Sequence, residues 1–372
     1  MTGFSFRCLS CGLLAPPGLD IACPSCGGLY EIAYSGPPSS DAPRLPLSRP
    51  GERVSLGEGR TPLIELKRTA RHLGLGRLWA KLEFVAPTGS FKDRGSSVLV
   101  SALREHGVTE FVEDSSGNAG ASLAAYAAAA GLKAHIFAPG SAPPAKLRQA
   151  RAHGAELHLV SGSRRDVAVA ARDTSREFGI PYVPHAESPY FLEGMKALAF
   201  ELAESEAATA DHIVFPVGNG SLLIGARRGF EELREAGRAS SRGSGFNPTG
   251  GLRPALHAAQ SAAVRPVVAA ILDEPWDSTQ AATTAADGIA VAAPPRLAQI
   301  VAAVRTSGGA AAAVRETDIL GWQARLAREE GIFCELTSAV AFAALPRLTA
   351  AGAIARGATV VVPVTGSGLK DG

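Results

Sequence analysis

The sequence predicts an α/β fold, layered around mainly parallel sheets and preceded by a small cysteine ribbon. Three observations carry that expectation. β-Branched runs alternate with Ala/Leu-rich stretches of helical pattern, glycine-containing turns sit where predicted strands hand over to predicted helices, and four of the five cysteines form two C-x-x-C pairs. At 372 residues the chain is long enough for two or three domains with developed cores. A hydrophobic content of 46%, a charged content of 19% and a net charge of +2 from interspersed signs describe a soluble protein and argue against a polyanion partner. The sequence has no basic-plus-apolar leader pattern and no apolar run near the ~18 residues that span a bilayer. The expectation is a cytoplasmic enzyme with no nucleic-acid and no membrane partner.

The cysteine pairs read Cys8-Leu9-Ser10-Cys11-Gly12 and Cys23-Pro24-Ser25-Cys26-Gly27-Gly28. Each short loop can aim two thiolates at one tetrahedral ion, and the trailing glycines let backbone amides turn toward the sulfurs. Cys8, Cys11, Cys23 and Cys26 therefore fit a closed structural Zn2+ site. Reduced thiols or two disulfides are the alternative, disfavoured by the absence of a secretion signal. Residues 1–40 hold one arginine and no lysine, too little positive charge to track phosphates. The ribbon is expected over 1–34, and the Pro/Ser-rich residues 35–55 read as a linker. Cys334, in the apolar run Gly331-Ile332-Phe333-Cys334, reads as a core residue.

From Leu56 onward strands are expected at 109–113, 133–138, 212–217 and 358–364. Helices are expected at 122–130, 146–153, 191–205, 319–330 and 338–350. Residues 238–251, rich in Gly, Ser and Arg, read as a mobile loop. Residues 281–295 show no clean period and receive no element.

The run Pro87-Thr88-Gly89-Ser90-Phe91-Lys92-Asp93-Arg94-Gly95 places a lysine in a tight turn just where a helix begins. A lysine amine attacks a carbonyl only when deprotonated, and desolvation or nearby positive charge lowers its pKa, so Lys92 is a candidate carrier of an aldehyde cofactor. A surface lysine paired with Asp93 is the alternative. Three strand-to-helix turns would supply the rest of one site. In Asp114-Ser115-Ser116-Gly117-Asn118-Ala119-Gly120-Ala121-Ser122, hydroxyls and helix-entry amides make a carboxylate cradle, and Asn118 offers its amide to a ring oxygen; an N-cap turn is the alternative. In Pro216-Val217-Gly218-Asn219-Gly220-Ser221, the glycines admit a phosphate and Ser221 donates to it. No acidic ribose partner follows about 20 residues later, so a lone phosphate ester is favoured over a dinucleotide. In Val364-Thr365-Gly366-Ser367-Gly368-Leu369-Lys370-Asp371, Thr365 can donate to a pyridine nitrogen without forcing its protonation, though an ordinary polar strand end reads the same way.

Together with Gly59-Arg60-Thr61-Pro62-Leu63, Leu192-Glu193-Gly194-Met195-Lys196 and Glu329-Glu330-Gly331-Ile332-Phe333-Cys334-Glu335, these motifs resemble the tryptophan-synthase-β-like group of pyridoxal-phosphate enzymes, and within it the threonine synthases. The resemblance runs over most of residues 56–371. It implies two open α/β domains with the cofactor between them: a large one from 56–92 and 206–372, and a small mobile one from 93–205. It also implies that Lys92 forms the Schiff base with pyridoxal 5'-phosphate, that Asn118 contacts the 3′-oxygen, that Gly218, Asn219, Gly220 and Ser221 hold the phosphate, and that Thr365 faces N1. A small amino-acid substrate, with Ser115 and Ser116 near its carboxylate, and a homodimer are implied as well.

The chain departs from that family around the substrate. Threonine synthases of this type show Asn-Pro-x-Arg-[Ile/Leu]-Glu-Gly-Gln-Lys, whose arginine, with an asparagine six residues earlier, looks like an anchor for the phosphate of O-phosphohomoserine. Here Phe191 stands at the arginine and His185 at the asparagine, Ala119 follows the cofactor asparagine in place of Thr, and Ser367 replaces a His. Loss of a guanidinium removes a forked dianion donor. The expectation is a lyase or synthase that eliminates or replaces a β- or γ-substituent, with a pocket altered from the O-phosphohomoserine type. Two alternatives remain: β-replacement on a serine or cysteine derivative, as in cysteine or cysteate synthases, and a degenerate zinc-ribbon binding protein.

Overall fold

A computed structural model describes residues 3–38, 42–140, 142, 144–237 and 253–370; the expected mobile loop at 238–251 lies outside them. In chain order the strands are β1 (Phe4–Cys8), β2 (Leu14–Ala15), β3 (Tyr30–Tyr34), β4 (Leu63–Glu65), β5 (Arg77–Lys81), β6 (Glu110–Glu113), β7 (Lys133–Pro139), β8 (Glu156–Val160), β9 (His212–Pro216), β10 (Ala255–Ser261), β11 (Ala311–Val314) and β12 (Thr359–Pro363). The chain forms two units. One comprises Met1–Pro37, Arg44–Glu58 and Lys92–Met195, the other Pro38–Pro43, Gly59–Phe91 and Lys196–Gly372.

The first unit holds the ribbon, an antiparallel sheet in the order β2-β1-β3, and a parallel sheet in the order β6-β7-β8. Strand and helix alternate as short apolar runs, buried without interruption from Ala134 to Ala138 in β7, give way to alanine-rich helical stretches. The helix Lys92–Glu105 is buried along most of its length from Asp93 to Leu103, and Asn118–Ala130 is an alanine-rich buried helix ended by Gly131 in the left-handed conformation (φ 71°). Arg164–Phe178 opens on a capping box, with Ser163 and Asp166 bonded reciprocally. Its Val167 and Ala171 pack on Val112 and Phe137 of the sheet.

The second unit is a six-stranded sheet in the order β11-β10-β9-β12-β5-β4, parallel except for the antiparallel edge strand β4. β12 is buried against the helix Leu336–Ala350, and Val360, Val362, Val340, Phe342 and Cys334 lie in one apolar core. Cys334 is fully buried, as its sequence context suggests.

The expected strands form within one or two residues of their predicted ends. The expected helix 191–205 is instead two, Pro189–Met195 and Ala197–Ala203. Lys196 between them keeps helical dihedrals (φ −57°, ψ −31°), but its carbonyl is closely covered by Gly229, where an added Cβ would lie 2.6 Å from the oxygen. Its buried amine pairs with Glu232 Oε2 at 2.7 Å. The unassigned stretch 281–295 carries only a 3-10 turn, Asp287–Ile289.

Candidate active site

In the first unit, Lys92 is the opening residue of Lys92–Glu105, and its ammonium lies 5.9 Å over the centroid of the Phe191 ring. Its sequence neighbour Asp93 is fully buried and accepts a 2.6 Å hydrogen bond from Ser122 Oγ, which ties the lysine turn to the helix Asn118–Ala130. Phe191 is fully buried. Gly95 makes room for it, since a Cβ there would lie 2.6 Å from the ring and 2.7 Å from Met195 Cε.

The turn after β6 carries Ser115, Ser116 and Asn118. Ser115 and Ala119 are buried, whereas Ser116 and Asn118 are half-buried. Gly120 is required because a side chain there would overlap the Ser115 carbonyl. Asn118 is the first residue of its helix, and Gly117 before it offers no side-chain cap, so the first-turn amides stay directed at that turn.

Pro181 and Val183 hydrogen-bond alongside Val112, each at 2.9 Å, and this register sets His185 against Glu113. Glu113 is fully buried. Its Oε2 accepts the His185 backbone N–H at 3.0 Å, and its Oε1 lies 2.8 Å from His185 Nδ1. Burial pushes the Glu113 carboxyl up to about 7, although Lys92 and Arg164 pull against it. Burial, with the Lys92 charge added, holds His185 well below the usual imidazole range. Both members therefore favour their neutral forms. His185 also packs edge-on against Phe191, 5.3 Å between centroids, and its Nε2 hydrogen-bonds to no described residue.

In the second unit, β9 and β12 are neighbours and parallel, so the loops that follow them leave the same sheet edge. Gly218 sits where a Cβ would lie 3.0 Å from both Gly288 O and Ile289 Cα, so the stretch that shows no pattern in sequence forms a wall of this loop. Gly220 has φ 73° and abuts Ile300. Helix Ser221–Glu235 starts directly after it, with no side-chain cap and no acid in its first turn, and Ser221 is buried. Bare amides, a buried hydroxyl and two obligatory glycines fit a phosphate. After β12, buried Thr365 Oγ1 lies 2.9 Å from Ser338 Oγ, which accepts the Gly366 N–H at 3.1 Å. Phe91 N–H donates to Thr365 O at 3.0 Å and Ser90 pairs with Gly366. Ser90 Oγ is buried with no hydrogen-bond partner among the described residues, a polar atom left for a bound group.

In the ribbon, Cys8 and Cys26 sulfurs lie 3.5 Å apart and Cys11 and Cys23 sulfurs 3.8 Å apart, and all four fall within 4.8 Å of one another. For metal–sulfur bonds of about 2.3 Å, the edges of a tetrahedron are about 3.8 Å. Gly12 and Gly27 take φ of 75° and 71°, and their amides bond back to Cys8 O and Cys23 O. The ribbon rests on helix Pro189–Met195: Tyr34 OH donates to buried Glu193 at 2.7 Å, Tyr190 OH donates to Gly18 O at 3.1 Å, and Phe6 packs edge-on to Tyr190.

Glu113, Ser338 and Ser90 were not singled out from the sequence as site residues. Glu113 reads there as the last residue of a strand and Ser338 as one small residue in a helical run. The only sequence signal for Glu113 is an ionisable residue following the apolar pair Phe111-Val112 and standing beside a Ser-Ser-Gly-Asn turn.

A fold of parallel sheets, a lysine opening a helix, and a glycine cradle after a neighbouring strand define a class. The family model for "Pyridoxal-phosphate dependent enzyme" matches residues 54–366, and the chain belongs to that family. Within it the chain is a lyase-type enzyme resembling threonine synthase. It is 33% identical to the threonine synthase of Methanosarcina acetivorans, over 99% of this chain and 92% of that one. It is 35% identical to the threonine synthase of a Bacillus species, over 91% of each. Among solved structures, maize serine racemase has the same fold, with TM-score 0.69 and 22% identity over 83% of this chain and 88% of that one. The processed form of threonine deaminase isoform 2 from Solanum lycopersicum does so too, with TM-score 0.68 and 19% identity over 82% of this chain and 79% of that one. No described helix is long and apolar enough to cross a membrane.

Proposed function

We propose that the chain eliminates or replaces a β- or γ-substituent of an amino acid whose side chain carries no phosphate. The observation that carries this reading is Phe191: a fully buried ring, 5.9 Å from the Lys92 ammonium and edge-on to a neutral His185, stands where a phosphate-binding site needs a forked cation.

When bound, pyridoxal phosphate supplies an electron sink for the bond broken at the substrate α-carbon. Lys92 would hold its aldehyde carbon and, once freed, take and return the α-proton at Nζ. Gly218, Asn219, Gly220 and Ser221 would hold the phosphate, and Asn118 the ring oxygen. Ser338 accepts from Gly366 and lies 2.9 Å from Thr365; with Ser338 as the donor of that second bond, the Thr365 hydrogen would be left for the ring nitrogen. Ser115, Ser116 and the amides after Gly117 would receive the substrate carboxylate.

His185 adds a proton relay. With Glu113 ionised, His185 Nδ1–H donates to it and Nε2 presents a lone pair; with Glu113 protonated, the carboxyl donates to Nδ1 and Nε2 presents a hydrogen. The imidazole can thus offer or accept a proton at Nε2 without itself becoming charged. That suits a leaving group or nucleophile that exchanges a proton, such as a hydroxyl, a thiol or water. The ribbon is assigned one structural zinc held by Cys8, Cys11, Cys23 and Cys26.

The test is a spectral screen of the cofactor-loaded protein against phosphorylated and unphosphorylated amino acids, with release of product followed in parallel. Visible-band changes and turnover confined to unphosphorylated substrates are expected. Conversion of O-phosphohomoserine to threonine at an ordinary rate would overturn the reading.

A further inference from the structure

A second cluster of metal-binding groups lies on the parallel sheet of the first unit. His135 on β7 pairs in register with Glu156 on β8, and His158 is two residues further along β8, so all three project from one face of the sheet. They sit toward the start of these strands, whereas Glu113 and the Ser115–Asn118 turn follow the end of β6. His135 Nδ1 lies 3.1 Å from His158 Nε2 and 3.8 Å from Glu156 Oε2, and His158 Nε2 lies 3.6 Å from Glu156 Oε1. Donors at about 2.1 Å from a tetrahedral ion are separated by about 3.4 Å, so the two imidazole nitrogens and the Glu156 carboxylate, one oxygen of which faces each of them, are spaced close to one face of such a polyhedron.

The surrounding groups orient the ligands. His135 Nε2 lies 3.0 Å from Glu110 Oε2; when its hydrogen is donated there, the Nδ1 lone pair faces His158. The His158 ring is stacked on Phe137 with centroids 4.4 Å apart and planes 10° apart, which holds Nε2 toward His135. Lys133 now occupies one side of the carboxylate, 2.6 Å from Glu156 Oε2, but its side chain is half exposed and can withdraw to water.

We propose that His135, Glu156 and His158 form a binding site for a divalent transition cation, zinc by ligand type, which clamps β7 to β8 and leaves a fourth position for water. Two imidazoles and one carboxylate are the donor set of an open zinc site, unlike the closed four-thiolate set of the ribbon.

The experiment compares cofactor-loaded wild type, His158→Ala and Glu156→Gln, each equilibrated with Zn2+ and then freed of excess. Position 158 is partly exposed and position 156 is exposed, so both variants should fold. Wild type should retain one more zinc per chain than either variant. Titration with Co2+ should show in wild type alone a component that lacks thiolate charge-transfer absorption. Equal zinc content and identical Co2+ spectra in all three proteins would overturn the proposal.

Discussion

Replacing Phe191 with arginine puts a guanidinium where the ring now packs. At the position of the present ring centroid it would lie 5.9 Å from the Lys92 ammonium. Two like charges at that distance, with an effective dielectric near 20, repel by about 3 kcal/mol. Loss of the buried ring against Gly95 and Met195 adds about 3 kcal/mol, the usual scale for emptying an aromatic core site. Part of this is recovered by the arginine's own methylenes, so about 3 to 5 kcal/mol of destabilisation is expected overall. A phosphate anion between the two cations would offset much of it. The assay is urea unfolding of wild type and Phe191→Arg, with and without inorganic phosphate, followed by the same pair in a His185→Asn background. The single variant should unfold at clearly lower urea and should be stabilised by phosphate to a greater degree than wild type. A variant as stable as wild type and indifferent to phosphate would show that position 191 does not face Lys92 as described, and the argument against a phosphorylated substrate would fall with it.

Glu113→Gln should change the pH dependence of stability. The folded carboxyl titrates near 7 against an ordinary 4.5, so the wild-type folded state binds the extra proton, and its stabilising effect is lost as pH rises from about 4.5 to about 7. That slope, at most about 3 kcal/mol over the window, should vanish in the variant when unfolding is measured at pH 5 and pH 8. Gly95→Ala gains helix propensity but drives a methyl into Phe191 and Met195, and calorimetry should show a net loss of about 1 to 2 kcal/mol, partly rescued by Phe191→Leu. Ser338→Ala removes the partner of Thr365 and of the Gly366 amide. Cofactor affinity, read from visible absorbance, should fall several-fold, with stability lower by about 1 to 3 kcal/mol. A Ser338→Ala protein that binds cofactor as wild type does would remove Ser338 from the site.

Much of this molecule could be read from the chain because its signals are local. Gly218 and Gly220 announce a close approach, Lys92 opens a helix after a Gly/Ser turn, and the C-x-x-C pairs specify their own loops. What escaped depends on partners distant in sequence. Glu113 reads as a strand end until the pairing of Pro181 and Val183 with Val112 brings it against His185, 72 residues away. Ser338 acquires meaning only from Thr365, 27 residues on. The break at Lys196 falls inside the expected helix, where Lys196 O accepts the Ala199 N–H at 3.0 Å in a tighter turn and Gly229, distant in sequence, packs close to the same carbonyl. Residues 281–295 meet the Gly218 loop chiefly through the backbone of Gly288 and Ile289, which composition does not encode.

The seating of the ribbon on Pro189–Met195 has a consequence for inheritance. Tyr34 and Gly18 bond to Glu193 and Tyr190, on the same two turns of helix that display Phe191. A change at the ribbon surface thus bears directly on the helix that carries Phe191, and the reverse also holds. In recombination or in engineering, residues 1–37 and 189–195 would travel best as one cassette, and a ribbon borrowed from a relative with a different residue at 191 would arrive fitted to a different helix.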